Sequence, residues 1–397
     1  MKATKITALV CCAVVGLTAF SGCGASSDSN ADSAESGEEI MDGSIITASE
    51  DNVKQVGRTY MIDDTLWCAL SGSGIDFEYT GTKLEITLVG DNAATIASND
   101  GNYARTAIYV DGERVIDDLI DNAEETYTVF ESDEQQTVSV QVVKLSECAM
   151  STFGIKPLLV GEEGSVTPAE EKDLKIEFIG DSITCGYGVD DEDENHSFST
   201  ATEDATKAYA YKTAQLLDAD YSLFSISGYG IISGYTSSDQ KVKAQTIPQY
   251  YSSLGFSYNS FASTTQPQSL EWDFSKFEPD IIVINLGTND ASYCGSDSDK
   301  QQEFIDGYVE FLSQVRQSNP NSMIICSLGI MGQTLYASIE MAVYTYTKDA
   351  GDENITTFKF DQQDQTIDGL AADWHPTEAT HEKAATALCE YIKELGF

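Results

Sequence analysis

The chain has 397 residues, too many for one ordinary hydrophobic core, and 41% of them are hydrophobic, enough to fill two globular domains. Its 65 acids against 22 bases leave a formal net charge of −43, which repels phosphate backbones and anionic lipid headgroups and argues against a nucleic-acid partner. A solvated acidic surface is the plain explanation of such a charge.

Lys2 and Lys5 precede an apolar run from Ile6 to Phe20, and the small residues Ser21 and Gly22 lead into Cys23. These are the parts of a secretory signal, expected over residues 1–22 and outside the fold. Small residues directly before a cysteine resemble the lipobox of bacterial lipoproteins, with Phe20 where Leu is usual. The resemblance implies that Cys23 is lipidated and that the chain stands at the cell surface, anchored to the bacterial membrane through that lipid, or is secreted where the lipid is not added. Residues 23–44 are rich in Ser, Gly and acids and bury too little apolar surface to order, so a flexible tether is expected there. Cys68, Cys148, Cys185, Cys294, Cys326 and Cys389 are scattered without a CxxC pair, so no zinc spacing is present and buried small apolar roles are expected. An exported setting also permits a Cys68–Cys148 disulfide. Nothing in the pattern speaks to oligomeric state.

Over residues 45–160 the apolar pattern has period two. KLEITLVG puts Leu84, Ile86 and Leu88 on one face, and QTVSVQVV does the same with Val138, Val140 and Val142. Asp111-Gly112 between TAIYV and ERVI predicts a tight hairpin. Short strands with glycine-bearing turns and no helix predict an all-β sandwich. Residues 161–173 carry Gly, Pro and charge without apolar period and read as a linker. Beyond them, over 174–397, continuous apolar strands (LKIEFIG, YSLFSIS, DIIVINLG, SMIICSLGI) alternate with amphipathic stretches such as KQQEFIDGYVEFLSQVRQ, where Phe304, Tyr308, Phe311, Leu312 and Val315 share a face. That alternation predicts an α/β domain with a parallel sheet.

Ligands of an open α/β sheet bind beyond the carboxyl ends of its strands, so the residues that follow each apolar run carry the chemistry. They are GDS with Ser182, SISGYG with Gly228 and Gly230, LGTND with Asn289 and Asp290, and, before the last helix, DWHP with His375. A serine hydroxyl attacks a carbonyl only when a base takes its proton, and the tetrahedral oxyanion needs donors aimed at it. His375 supplies the base; the backbone N–H groups of Ser182 and Gly228 with the Asn289 amide supply the donors. A mere helix cap at Ser182 would require none of these partners.

GDS, SISG, GTND and DWHP in this order resemble the four blocks of the SGNH (GDSL) hydrolases. With the N-terminal sandwich, the TEDATKAYAYKTAQLL stretch and WDFSKFEPDIIVINLGTND, the chain is similar to carbohydrate esterase family 2. The resemblance implies a jelly-roll domain followed by a three-layer, flavodoxin-like SGNH domain, and removal of acetyl groups from xylan, mannan or related glycans, with no cofactor and no metal. It implies Ser182 as nucleophile, His375 as base, and Gly228 and Asn289 as oxyanion donors. One departure stands out: the usual Asp three residues before the histidine is Ala372 here, and the nearest acid is Asp373. Either Asp373 orients the imidazole through Nδ1, or a backbone carbonyl does so and the site is a dyad. Rival substrates are peptidoglycan O-acetyl, lipid or aryl esters, and a rival role is a surface glycan-binding protein without activity.

Other residues read more plainly. His381 lies on the last helix and is expected at the surface. His196, in DDEDENHSF, occupies the position where a calcium loop needs glycine, so a solvated acidic loop is expected. Trp67 and Trp272 are expected in the core or at the interface, and Trp374, beside His375, near the substrate.

Overall fold

The computed structural model describes residues 44–96 and 101–397. The expected signal 1–22, the lipidation site Cys23 and the tether to residue 43 lie outside the described residues.

Between Ile45 and Pro168 the chain forms an antiparallel β assembly built on two long strands, Gly74–Gly90 and Glu124–Lys144, paired along most of their length. Their register shifts between Gly81 and Lys83 and again between Leu84 and Glu85. Such bulges bend a strand. The first half of Gly74–Gly90 pairs with Ser165–Pro168, and its last residues pair with Phe153–Ile155. The period-two faces point inward as expected: Leu84, Ile86, Leu88, Val138, Val140 and Val142 are all buried in one core with Phe77 and Tyr79. Asp111 and Gly112 turn the hairpin with φ of 50° and 80°, the left-handed pair that a two-residue hairpin turn requires. The segment read as a linker is in part a strand, because Ser165–Pro168 aligns with Phe77–Thr80 and satisfies an otherwise open edge.

The second half has five parallel strands in the order Ala219–Ser225, Leu174–Gly180, Ile281–Asn285, Met323–Leu328, Ile355–Lys359. In chain order this is 2-1-3-4-5, the doubly wound arrangement whose switch point lies between the first and third strands. Helices α2 (Tyr209–Leu216) and α6 (Glu378–Glu394) cover one face, and α4 (Ser298–Ser318) and α5 (Tyr336–Ala350) cover the other. The α4 stripe of Phe304, Tyr308, Phe311, Leu312 and Val315 is buried as its spacing predicts.

The two halves belong to one compact unit, Asp42–Phe397. Arg58 of the β half is fully buried, donates from Nη1 to the carbonyls of Tyr251 (2.6 Å) and Ser253 (2.7 Å), and pairs through Nη2 with Glu177 at 2.9 Å. Tyr251 donates its hydroxyl to the other Glu177 oxygen at 2.7 Å, so both partners of the buried pair are hydrogen-bonded. The six cysteines among the described residues are all free, which replaces the Cys68–Cys148 disulfide with two buried thiols.

Candidate active site

Strand Leu174–Gly180 ends at Asp181, whose carboxylate caps the following single turn, α1 (Ser182–Cys185), by accepting the Ile183 N–H at 3.1 Å. The turn stops at Gly186, which takes φ 77°. Ser182 is thus the first residue of a helix at the switch point, where its N–H has no intrahelical partner. Its side chain is nearly buried, and Oγ lies 2.9 Å from Nε2 of His375.

His375 arrives on the loop before α6. Asp373 and Trp374 both take left-handed backbone, φ 49° and 60°, an uncommon pair for residues with a Cβ and one that persists only where the surroundings enforce it. The fold-back brings two carbonyl oxygens to the imidazole: Ala372 O at 3.2 Å and Asp373 O at 3.1 Å from Nδ1. A carbonyl only accepts, so Nδ1 carries the proton and Nε2 is the free base facing Ser182. The Asp373 side chain does not orient the ring. Its Oδ2 accepts the Tyr187 hydroxyl at 2.6 Å and the Phe198 N–H at 3.2 Å, because the left-handed backbone at 373 sends carboxylate and carbonyl to different neighbours. Of the two arrangements open from the sequence, the geometry is the dyad held by backbone carbonyls. The Tyr187 ring lies on the imidazole, centroids 3.9 Å apart and planes 20° from parallel. Burial pushes His375 down to about 4, against weaker opposing effects of the two carbonyls and Asp373.

The opposite side of Ser182 is made by the ends of the second and third strands. Gly228 takes φ 79° and its flank is open: an added Cβ would meet nothing within 4 Å, so backbone conformation is what selects glycine here. Its N–H donates to no group among the described residues, and its carbonyl accepts from Tyr235 at 2.9 Å. Gly230 is glycine for space, since a Cβ would stand 2.2 Å from Ser233 O and 2.4 Å from Asp290 Oδ2. Asn289 is the second residue of α3 (Thr288–Cys294), and its amide donates to Tyr229 O at 2.9 Å and to Asp181 Oδ2 at 3.2 Å. Asp290 accepts the N–H groups of Ile231, Ile232 and Ser233 at 2.8 to 3.0 Å, which pins the loop just beyond Gly228. Burial, with Asp290 nearby, pushes Asp181 up to about 7, and burial pushes Asp290 up to about 6 against its three N–H donors.

The structure therefore gathers Ser182, Gly228, Asn289 and His375 at one rim of the sheet, as a serine acyl-transfer site needs. Residues 178–383 match the model of the GDSL-like Lipase/Acylhydrolase family. The chain belongs to that family. Residues 55–169 match the Carbohydrate esterase 2 N-terminal model. The cellulase/esterase CelE of Acetivibrio thermocellus is 30% identical over 336 residues, 83% of this chain but 38% of that one, so the chain spans well under half of that relative. An acetylxylan esterase / glucomannan deacetylase of Cellvibrio japonicus is 24% identical over 88% of this chain and 90% of its own length. Among solved structures, a family two carbohydrate esterase from Clostridium thermocellum in complex with cellohexaose is 28% identical, with a TM-score of 0.73 over 86% of this chain and 98% of that one.

In this GDSL-like chain Trp374 is 55% exposed at the rim, whereas Trp67 and Trp272 are buried together in one cluster. His196 is exposed against Asp191 at 3.0 Å, in keeping with a solvated loop. His381 is not a surface residue: it is fully buried, and its Nδ1 accepts the Tyr209 N–H at 3.1 Å, because the last helix turns that position toward α2. Two residues show no role in the sequence: Tyr187, which covers the imidazole, and Glu147, whose carboxylate accepts the Ser227 N–H beside Gly228. Tyr187 lies inside GDSITCGYG, five residues past the serine, and that proximity was its only signal. Glu147 had a fainter one, an acid following the apolar alternation QTVSVQVV.

Proposed function

We propose that the chain is a serine esterase that removes O-acetyl groups from carbohydrates through an acyl-enzyme. The observation that carries this reading is the 2.9 Å contact between His375 Nε2 and Ser182 Oγ beside the unengaged N–H of Gly228. Ser182 Oγ attacks the acetyl carbonyl while Nε2 takes its proton, and the carbonyl π electrons move onto oxygen, held by the N–H groups of Ser182 and Gly228 and by Asn289. Collapse breaks the ester C–O bond, and the imidazolium protonates the departing sugar oxygen. Water then gives its proton to Nε2, attacks the acetyl-serine and releases acetate, and Ser182 regains its proton.

The substrate class is supported by the names of the relatives, by the oligosaccharide in the Clostridium complex and by the exposed indole of Trp374, a flat apolar face suited to a pyranose. Export and a lipid anchor at Cys23 are supported by the leading residues and fit a polymeric substrate outside the cell. Ser182→Ala is expected to lower acetate release from acetylated xylan and from p-nitrophenyl acetate by at least about 10⁴-fold with the fold intact. A variant that keeps more than a tenth of the rate overturns the esterase reading.

A further inference from the structure

Directly behind the site, the β half sends Lys144–Cys148 into the α/β half. Glu147 is 1% exposed, and its Oε2 accepts the N–H of Ser227, the residue before Gly228, at 2.8 Å. Its own N–H donates to Glu203 Oε2 at 2.7 Å, and its carbonyl accepts from buried Lys144 Nζ at 2.8 Å. The next residue, Cys148, points its thiol at the Ser225 carbonyl at 3.7 Å, so this stretch grips the incoming loop at two points. Downstream of Gly228 the loop is held by Asp290 and by the bond from Tyr235. Upstream, Glu147 holds the Ile226–Ser227 peptide, one peptide before the one that carries the Gly228 N–H, and the Ile226 N–H donates to the Gly180 carbonyl at 3.3 Å.

Such a grip matters because Gly228 is a glycine in left-handed backbone, free to rotate unless its neighbours stop it. Glu147, Cys185 and Glu203 bring their ligand atoms within 4.8 Å of one another, all buried, and Glu203 Oε1 has no partner among the described residues. Packing acids so closely out of water is costly. An apolar pair would fill the space without that cost, but it would not accept the Ser227 N–H.

We infer that Glu147 is a positioning residue of the oxyanion pocket, supplied by the β half, which anchors the Ile226–Ser227 peptide and through Ser227 sets the next peptide so that the N–H of Gly228 faces the reacting oxygen. The inference rests on the esterase reading and gives the β half a part in the chemistry itself. Two near-isosteric variants test it with p-nitrophenyl acetate: Glu147→Gln keeps an acceptor for Ser227, and Glu147→Met does not. Misplacing one oxyanion donor is expected to lower kcat of the Met variant about 10- to 100-fold with KM within about twofold, and the Gln variant should recover most of the loss. A purely structural role would instead lower the melting temperature of both and leave kcat per folded molecule alone. A Met variant within about threefold of the parent kcat, or a Gln variant as slow as the Met variant, overturns the inference. Should the Met variant not fold, hydrogen exchange on the parent chain decides with the Gln kinetics: a protected Ser227 amide supports the inference, and an amide exchanging at the rate of an open loop overturns it. Ser182→Ala, run alongside, separates the two layers. An active Ser182→Ala ends the esterase reading, whereas an inactive one beside a fully active Glu147→Met ends only this inference.

Discussion

On one side of Ser182 the imidazole of His375 is steered by two backbone carbonyls and covered by the Tyr187 ring; on the other, the Gly228 loop and Asn289 are held by the carboxylates of Asp181, Asp290 and Glu147. The first side presents no carboxylate to Nδ1, and the two carbonyls and the nearby Asp373 charge only partly offset the burial of the ring, so its proton affinity falls. The second places acids where negative charge must develop, yet each is turned to loop N–H groups or to the Asn289 amide, and burial lifts Asp181 and Asp290 toward the neutral form. Charge in this site is thus spent on shaping the donors, and the base is tuned by its absence. The same contrast separates the two polar anchors of the seam between halves. Arg58 and Glu177 form a pair matched in charge, while Glu147 and Glu203 are two clustered acids that reach the loop before Gly228, with Lys144 bonded to the Glu147 carbonyl.

The sharpest way to break the comparison is at the donor side. Both amide protons of Asn289 are engaged, with Tyr229 O and Asp181 Oδ2, so serving the oxyanion means releasing one of them as the charge develops. Asn289→Ala is expected to lower kcat about 10²- to 10³-fold with little change in KM, read from steady-state hydrolysis of p-nitrophenyl acetate. A loss under about fivefold would leave the pocket to backbone N–H groups alone and reduce the role of Asn289 to tying Asp181 to the Tyr229 carbonyl.

The base side is broken by pH. Only neutral His375 accepts the serine proton, so activity is lost as pH falls through the pKa of the folded enzyme. With that pKa lowered to about 4, kcat/KM is expected to hold between pH 6.5 and 5 and to fall below about 4. At pH 5 an ordinary imidazole would be neutral only about 3% of the time, so the two cases differ about 30-fold there. An acid limb near 6.5 would mean that a carboxylate does reach the ring in the working enzyme.

The sequence displayed the strand ends better than the contacts behind them. Ser182, Gly228, Asn289 and His375 were legible because each follows an apolar run, and a doubly wound sheet brings all such ends to one rim. The period-two faces and the α4 stripe were legible because burial imposes its repeat on the chain. The strand Ser165–Pro168 was not, since an edge strand of four residues with one proline has almost no pattern to show. His381 was misplaced because a polar residue on a mostly polar helix says little about which neighbour covers it. Asp373 was ambiguous because its role is set by left-handed backbone at 373 and 374, a conformation that non-glycine residues give no sign of in advance.

That ambiguity sets the smallest effect and the finest test. Where a carboxylate holds the catalytic imidazole, its change to an amide costs about 10⁴ in kcat because the wrong tautomer is favoured. Here the Nδ1 proton faces the carbonyls of Ala372 and Asp373, which Asp373→Asn leaves in place. The amide oxygen also still accepts one of the two groups that Asp373 Oδ2 receives, the Tyr187 hydroxyl or the Phe198 N–H. The expected loss in kcat is therefore less than about tenfold, entering through a looser Tyr187 ring over the imidazole rather than through the proton itself. A loss of several decades would show that the loop rearranges when substrate binds and turns the carboxylate onto Nδ1. The acid limb of the parent enzyme would then lie well above 4, so the mutant rate and the pH profile must shift together or not at all.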